Sequence, residues 1–515
     1  MNFASRLAAA LLLSCCTLPA RADGPPLERG TAIIDPLALR ELDGGRFALS
    51  HIMMPARSAD TPLTAAQLFA LPSMAPVRRA LDDDFQRYIA KHKAELPNES
   101  IGVGSEFAFQ LFDRAQLASA DTRFVLSGIV NRMDRAYVPG QQCGEVRLIY
   151  RLTQTNARAV GEAAVSPRLP MTLNVVLKAK GNGITVTCAE IAKRWLAVGS
   201  LTAAGAELAE KLTAPGGALA LIAPDNIDRI ETNLQIAHAP KSATRDFRTD
   251  YLMKVFDYDS KSATFVESPL ENQIDRDRLL ADKDFARDFK NWLLDPAHFA
   301  ELDRGTILIP DRFLLRSAIA PTPVGFALSN LQPAFGLVAG EDGSGGAVFS
   351  KEDVVSALAK AAASDVKLQN IRSVAGFEHR LNDMSCSGCH QTRGIGGFHF
   401  PGVDWMAAKP SNSTVVPASP HFFGDQVRRR DILTAFAEDR EPDFSRGFAS
   451  RPQLRGSAEL AGTEYENGWG SHCYAQHAKA SENDKSFSSW TCAAGLTCQT
   501  ANAETRMGMC FVKTR

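Results

Sequence analysis

Apolar residues recur at helical spacing over Leu63–Leu71 and Val77–Leu96, with Arg78, Asp82, Asp83 and Lys91 between them, which predicts two amphipathic helices. Between Arg123 and Lys178 the texture changes. Arg123–Val130, Glu145–Leu152 and Met171–Leu177 are short β-rich runs separated by polar or Pro/Gly segments, and they predict strands of one sheet. Helical spacing returns at Ala189–Val198, Ala203–Leu212 and Asn226–Ala237. Tyr251–Tyr258 and Ala263–Val266 then read as strands, and Lys283–Leu294 as a helix. This order argues for an α+β fold, a mixed sheet with packed helices, over repeated βαβ units. Lys351–Ala363 and Asp365–Met384 are helical patterns, the second running directly into Cys386. A stretch rich in Gly, Pro and Ser, Gly394–Ser419, predicts a wrapping loop ahead of a basic-acidic helix over Gln426–Glu438.

The 515 residues are enough for about three domains. The pattern divides them into a signal peptide over 1–22, an N-terminal helical region over 23–120, an α+β domain over 121–345, a helical segment over 346–440, a linker from Asp439 to Gly456 and a small module over 456–515. With 57 Lys plus Arg against 58 Asp plus Glu there is no global basic field, which argues against a nucleic-acid partner. Arg6, the apolar run Leu7–Leu13 and the small-x-small triplet Ala20-Arg21-Ala22 form an export signal with cleavage near Ala22, so a periplasmic or secreted protein is expected. Leu12-Leu13-Ser14-Cys15 also resembles a lipidation site, and membrane association is expected only if Cys15 carries a lipid.

Export changes the reading of the cysteines, because thiols pair in an oxidising compartment unless other chemistry claims them. Cys143 and Cys188 are expected to close a disulfide. Cys473, Cys492, Cys498 and Cys510, with Trp490, Gly495 and Gly508 among them, read as a module stapled by two disulfides, for which three pairings are open.

The remaining pair stands in Cys386-Ser387-Gly388-Cys389-His390. Two thiols one helical turn apart can add across the two vinyl groups of haem, and the next imidazole then lies under the ring as proximal iron ligand. In a chain with 10 Cys and 10 His, chance gives on the order of 0.004 such matches. Zinc would want further ligands at matching spacing, and no second close pair sits nearby. The expected cofactor is one covalent haem c. For the sixth iron position His399, in the glycine-rich Gly394-Ile395-Gly396-Gly397-Phe398-His399-Phe400, is the first candidate and Met406 the second; His379, Met384 and His421 follow.

Ile129-Val130-Asn131-Arg132-Met133-Asp134, Cys143-Gly144-Glu145-Val146-Arg147-Leu148-Ile149-Tyr150, Pro170-Met171-Thr172, Glu231-Thr232-Asn233 and Cys386 to His390 with Phe398-His399-Phe400 together resemble a family of exported bacterial proteins of unassigned function. The resemblance covers roughly Arg123 to Phe400. It implies a single Cys-x-x-Cys-His with a following Phe-His element, which favours His399, and it implies no substrate. Ordinary small cytochromes open with their attachment motif, whereas here a long chain precedes it, which argues against their simple fold.

Asn131, Arg132, Asp134, Glu145 and Arg147 form a polar cluster on predicted strands. It reads as a buried ion-pair network fixing the register of the sheet, or else as a pocket with an Arg to grip a carboxylate. Ala339–Gly346 lacks the Lys-Ser/Thr ending of a phosphate loop and reads as a surface turn. The expected function is that of an exported monohaem c-type cytochrome that transfers electrons to or from a redox partner protein. The rivals are a haem-dependent oxidase or peroxidase with its substrate pocket in the N-terminal region, and a haem-containing binding or sensor protein.

Overall fold

The structure is a computed structural model that describes residues 30–55, 62–155, 168–180, 186–239, 248–323, 348–374, 377, 380–381, 384–385, 405–406 and 426–446, together with parts of 472–512. The fold is α+β. Ten strands form one mostly antiparallel sheet: β1 (Ala32–Ile33), β2 (Ile101–Gly102), β3 (Phe109–Leu111), β4 (Thr122–Arg132), β5 (Glu145–Gln154), β6 (Arg168–Lys178), β7 (Ile227–Ala239), β8 (Arg248–Asp259), β9 (Thr264–Ser268) and β10 (Ser317–Pro323). Their path runs β1-β4-β5-β6-β7-β3-β2, and β8 joins β7 to both β9 and β10.

The register explains why the middle strands are buried on both faces. Ile129 stands opposite Leu148 and Leu148 opposite Val175, so these side chains share one face; Arg132 stands opposite Glu145, and Arg147 opposite Val176, on the other. The apolar face carries the larger core. Helices α1 (Pro36–Asp43), α2 (Leu49–Met53), α3 (Ala65–Phe69), α4 (Ala75–Glu95), α5 (Cys188–Val198) and α6 (Gly205–Thr213) supply its other side, with Leu39, Phe47, Leu68, Phe85, Trp195 and Leu208 among the buried residues. The N-terminal region therefore shares its core with the sheet and also contributes β1, β2 and β3. On α4, Asp84 ion-pairs with the fully buried Lys254 of β8, and Tyr88 donates to Asp250 at 2.6 Å, which fixes the helix across the sheet.

A second core lies C-terminal to the sheet. Helices α7 (Arg276–Ala281), α8 (Lys283–Leu293), α9 (Pro296–Arg304) and α10 (Lys351–Ala363) pack around Phe289, Phe299, Phe313, Phe349 and Phe377. The Phe299 and Phe377 rings stack with centroids 5.7 Å apart, which seats the helical residues Phe377, Leu381 and Met384 in that core. Helix α11 (Gln426–Ala437) returns to pack on α5. At the C-terminus β11 (His472–Tyr474), β12 (Leu496–Thr500) and β13 (Met507–Val512) form a separate three-stranded sheet.

Two expectations are corrected. Asn226–Ala237 is strand β7, not a helix. Its Ile227, Ile230 and Leu234 mimic helical spacing, but the segment pairs along its length with both β6 and β8, and an irregularity between Gln235 and Ala237 breaks the period-two pattern that would have announced a strand. The helix predicted from Asp365 does not begin there. Residues 365–373 are non-helical because the buried Asp303 carboxylate accepts the backbone N–H groups of Gln369 at 2.7 Å, Asn370 at 2.8 Å and Ile371 at 2.6 Å. Helical residues resume at Val374.

Both expected disulfide regions carry bonds. Cys143 joins Cys188, linking the residue two before β5 to the first residue of α5, whose N-cap Thr187 accepts from Glu190. Cys473 joins Cys498, and Cys492 is also disulfide-bonded. Of the three pairings, only the one that leaves Cys492 to Cys510 contains this bond. Among the described residues no helix is long and apolar enough to cross a membrane. Replacing Cys143 and Cys188 together by Ala frees a loop of sequence separation 45 in the unfolded chain, with an expected stability loss of about 4 kcal/mol, read as a lower denaturant midpoint.

Candidate functional site

The face of the sheet opposite the large core is built of charge. Arg132 and Glu145 are cross-strand partners, as are Asn174 and Glu231, so the register alone gathers Arg132, Glu145, Arg147, Asn174, Arg229 and Glu231 on one surface. Arg147 donates to Glu145 at 2.6 and 2.8 Å and to Glu231 at 3.1 Å, and Arg229 donates to Glu145 at 2.8 Å and Glu231 at 2.9 Å. Burial alone would raise the pKa of Glu145, but Arg147, Arg229, Arg135 and Arg132 hold it far below the carboxylate range. The Cys-Gly-Glu run that leads into β5 serves this arrangement. Gly144 has φ +77°, and a Cβ there would lie 2.5 Å from the Arg132 carbonyl oxygen, so only glycine lets β5 start against the end of β4.

Asp134 is the hub. Its carboxylate accepts Nε and Nη2 of Arg132 at 2.9 and 3.2 Å, Nη2 of Arg428 at 2.9 Å and Nη2 of Arg446 at 2.8 Å. Complete burial pushes its pKa up, yet the guanidinium groups of Arg132, Arg429, Arg428 and Arg446 hold it well below the ordinary value. Arg446 also passes the connection on, because its carbonyl oxygen accepts from Arg380 Nη2 at 2.7 Å, which donates to the Asp303 carbonyl at 2.8 Å as well. Arg380 is fully buried and lies on the helical stretch that leads toward Cys386. The helix is thus tied to the ion network through one backbone carbonyl.

Between this face and the second core lies a cavity of about 590 Å³. Its charged floor comes from Arg132, Arg147, Lys178, Asp228, Arg229, Glu231 and Asp257 on β4 to β8. Its far wall includes Leu270, Glu271, Ile309, Leu314 and Met384. Met384 is two residues before Cys386, and the following Ser385 is buried.

Of the sequence candidates, Cys386, Cys389, His390 and His399 lie outside the described residues, as do His379, His421, the Ala339–Gly346 turn, the export signal and Cys15. Met406 is described and half-buried. Its neighbour Trp405 donates Nε1 to the Leu126 carbonyl at 2.8 Å, with the Arg123 guanidinium 6.0 Å from the indole centroid. Leu126 in turn gives its N–H to the buried Asp43 at 2.9 Å, and Asp43 faces Arg123 at 3.3 Å. The structure brings the cluster Asn131, Arg132, Asp134, Glu145 and Arg147 together and makes it part of a larger network. Sequence reasoning missed Arg135, Arg229, Arg428 and Arg446. The signal for Arg428 was the run Arg428-Arg429-Arg430 in a helix with only scattered acids, which reads as a solvated face. No family model, curated protein or solved structure matches the chain.

Substituting Asp134→Ala leaves buried guanidinium groups without their shared carboxylate and is expected to lower stability by about 3–5 kcal/mol, measured by denaturant unfolding. Asp43 behaves in the opposite sense to Asp134: burial pushes its pKa up from 3.8 to about 6, more than the Arg123 and Leu126 contacts pull it down. The native state then holds a proton that the unfolded chain has released between those values, so stability falls as pH rises through that window. Thermal unfolding of wild type and Asp43→Asn from pH 4 to 7 is expected to show the decline in the former and its loss in the latter.

Proposed function

We propose that this chain is an exported monohaem c-type cytochrome that passes electrons, with Cys386 and Cys389 as haem tethers, His390 as proximal ligand and His399 as distal ligand, Met406 being the alternative. The Cys-x-x-Cys-His sequence carries the reading. Haem supplies one-electron chemistry when bound; the chain supplies attachment, orientation and a fixed electrostatic setting. The described surroundings of the attachment segment fit such a group. Met384, at the cavity wall, offers an apolar surface, and Arg135 Nε is a buried donor without a hydrogen bond, which suits a ring with an apolar face and an anionic edge. The paired disulfide cysteines support export, which accords with a periplasmic or secreted location and a redox partner protein met there.

The segments that carry the family resemblance also support the reading. Those around Asn131, Glu145, Met171 and Glu231 fall on four adjacent strands, and Arg132, Arg147 and Glu231 among them line the cavity that Met384 borders. The haem-enzyme alternative draws on the same cavity, a chamber large enough to admit a substrate.

Protein matured with haem attachment machinery and stripped of non-covalent haem is expected to give a pyridine haemochrome spectrum, with covalent haem lost in Cys386→Ser plus Cys389→Ser. Absence of covalent haem in wild type overturns the reading. Carbon monoxide is expected to leave the reduced spectrum unchanged, as a six-coordinate electron carrier requires; ready binding favours the enzyme.

A further inference from the structure

We propose that the cavity of about 590 Å³ on the charged face of the sheet is a carboxylate site, gripped by Arg132 and Arg135. Five arginines line it, namely Arg132, Arg135, Arg147, Arg229 and Arg446. Two of them are buried at 2% and 6% exposure and hold donor capacity in reserve. Arg132 uses Nε and Nη2 on Asp134, which leaves the two hydrogens of Nη1. Arg135 gives Nη1 and Nη2 to Glu271, while its buried Nε lies 3.4 Å from Glu145 without making a hydrogen bond. A buried N–H left in this way is unfavourable, and an arriving acceptor would relieve it.

The rest of the lining narrows the ligand. Val255, Leu270, Ile309, Leu314 and Met384 make part of the wall apolar, so the ligand carries a hydrocarbon body as well as its charge. Asp228 and Asp257 on the floor, with Asp311, line the same cavity and oppose a polyanion such as a di- or triphosphate. Arginine forks match planar carboxylates in geometry. Glu271, whose side chain is 42% exposed, is the group an incoming carboxylate displaces most readily from Arg135.

Two sources share this chemistry. One is the pair of carboxylates on the haem itself, an inference that rests on the cytochrome reading and on the place of Met384 in the cavity wall, two residues before Cys386. The other is a soluble carboxylate, for which succinate is the probe. The experiment uses matured full-length protein, Arg135→Gln, Arg135→Lys and Glu271→Gln. It reads succinate binding by thermal shift and calorimetry, and the haem reduction potential from pH 5 to 8.

For a soluble ligand, succinate binds wild type, binds Arg135→Gln about tenfold more weakly, and binds Glu271→Gln at least as tightly as wild type. For the haem carboxylates, succinate has no effect, while Arg135→Gln shifts the ferric–ferrous equilibrium about tenfold toward ferric, 59 mV for one electron, and makes the potential pH-dependent. Arg135→Lys lies between, and Glu271→Gln does not lower the potential. A merely structural Arg135–Glu271 pair destabilises both neutral variants alike and moves neither readout, which overturns the proposal. A pyridine haemochrome assay on the same preparation reports on the cytochrome reading separately. If no haem is found, that reading fails and succinate binding alone decides the carboxylate site, its absence overturning it.

Discussion

One buried carboxylate holds the two cores together. Asp134 lies two residues past the end of β4 and receives Arg132 from the last position of that strand, Arg428 from α11 and Arg446 from the segment beyond, the last two separated from it by 294 and 312 positions. A charge in this setting is tolerated only with its partners in place, because each ion alone loses several kcal/mol of solvation. The sheet, the returning helix and the segment after it are therefore required to assemble as a set. Through the Arg446 carbonyl the same requirement reaches Arg380, and with it the helical stretch that precedes Cys386.

Buried ion pairs are poor sources of net stability, since well-packed apolar residues of the same volume often do as well or better. What this network supplies is register. With a side-chain period of two, a one-residue slip of β5 against β4 would send Glu145 and Arg147 into the core occupied by Leu148, Tyr150 and Trp195, and bring Leu148 to the charged face. The apolar face gains the free energy of burial, and the charged face permits only one alignment. Gly144 and the Cys143–Cys188 bond act at the same junction, the first by letting the backbones of β4 and β5 approach and the second by tying the turn to α5.

Much of the fold was legible in sequence. β4, β5 and β6 announced themselves by β-branched runs, α4, α5, α6, α8 and α10 by helical spacing, and the polar cluster by charges standing inside strands. β7 was not legible, because its apolar positions coincide with a helical period and a local irregularity breaks the alternation. The late start of the helix before Cys386 was hidden for another reason: it is set by Asp303, more than sixty positions upstream, whose carboxylate holds three backbone N–H groups in a non-helical turn. The network's outer members escaped because an Arg contributed from a distant helix bears no local mark. The proposed attachment motif is the opposite case, since it is read from five consecutive residues, which lie outside the described residues.

The positions of Met384 and Trp405 bear on what such a motif can do here. Met384 belongs to the second core and to the cavity wall, whereas Trp405 packs against the first core and donates to Leu126, six residues before Arg132 on β4 and so roughly 20 Å along the strand. The described residues on either side of 386–404 thus pack on different cores, Met384 in the second and Trp405 against the first. A haem tethered between them, as proposed, would be referenced to both, and the two are fixed to each other through Asp134 and Arg446. An electron carrier needs a redox centre whose surroundings change little between oxidation states. For the proposed electron carrier, the guanidinium and carboxylate groups that line the cavity Met384 borders, fixed on a sheet of defined register, would be such an environment, already oriented before the redox state changes.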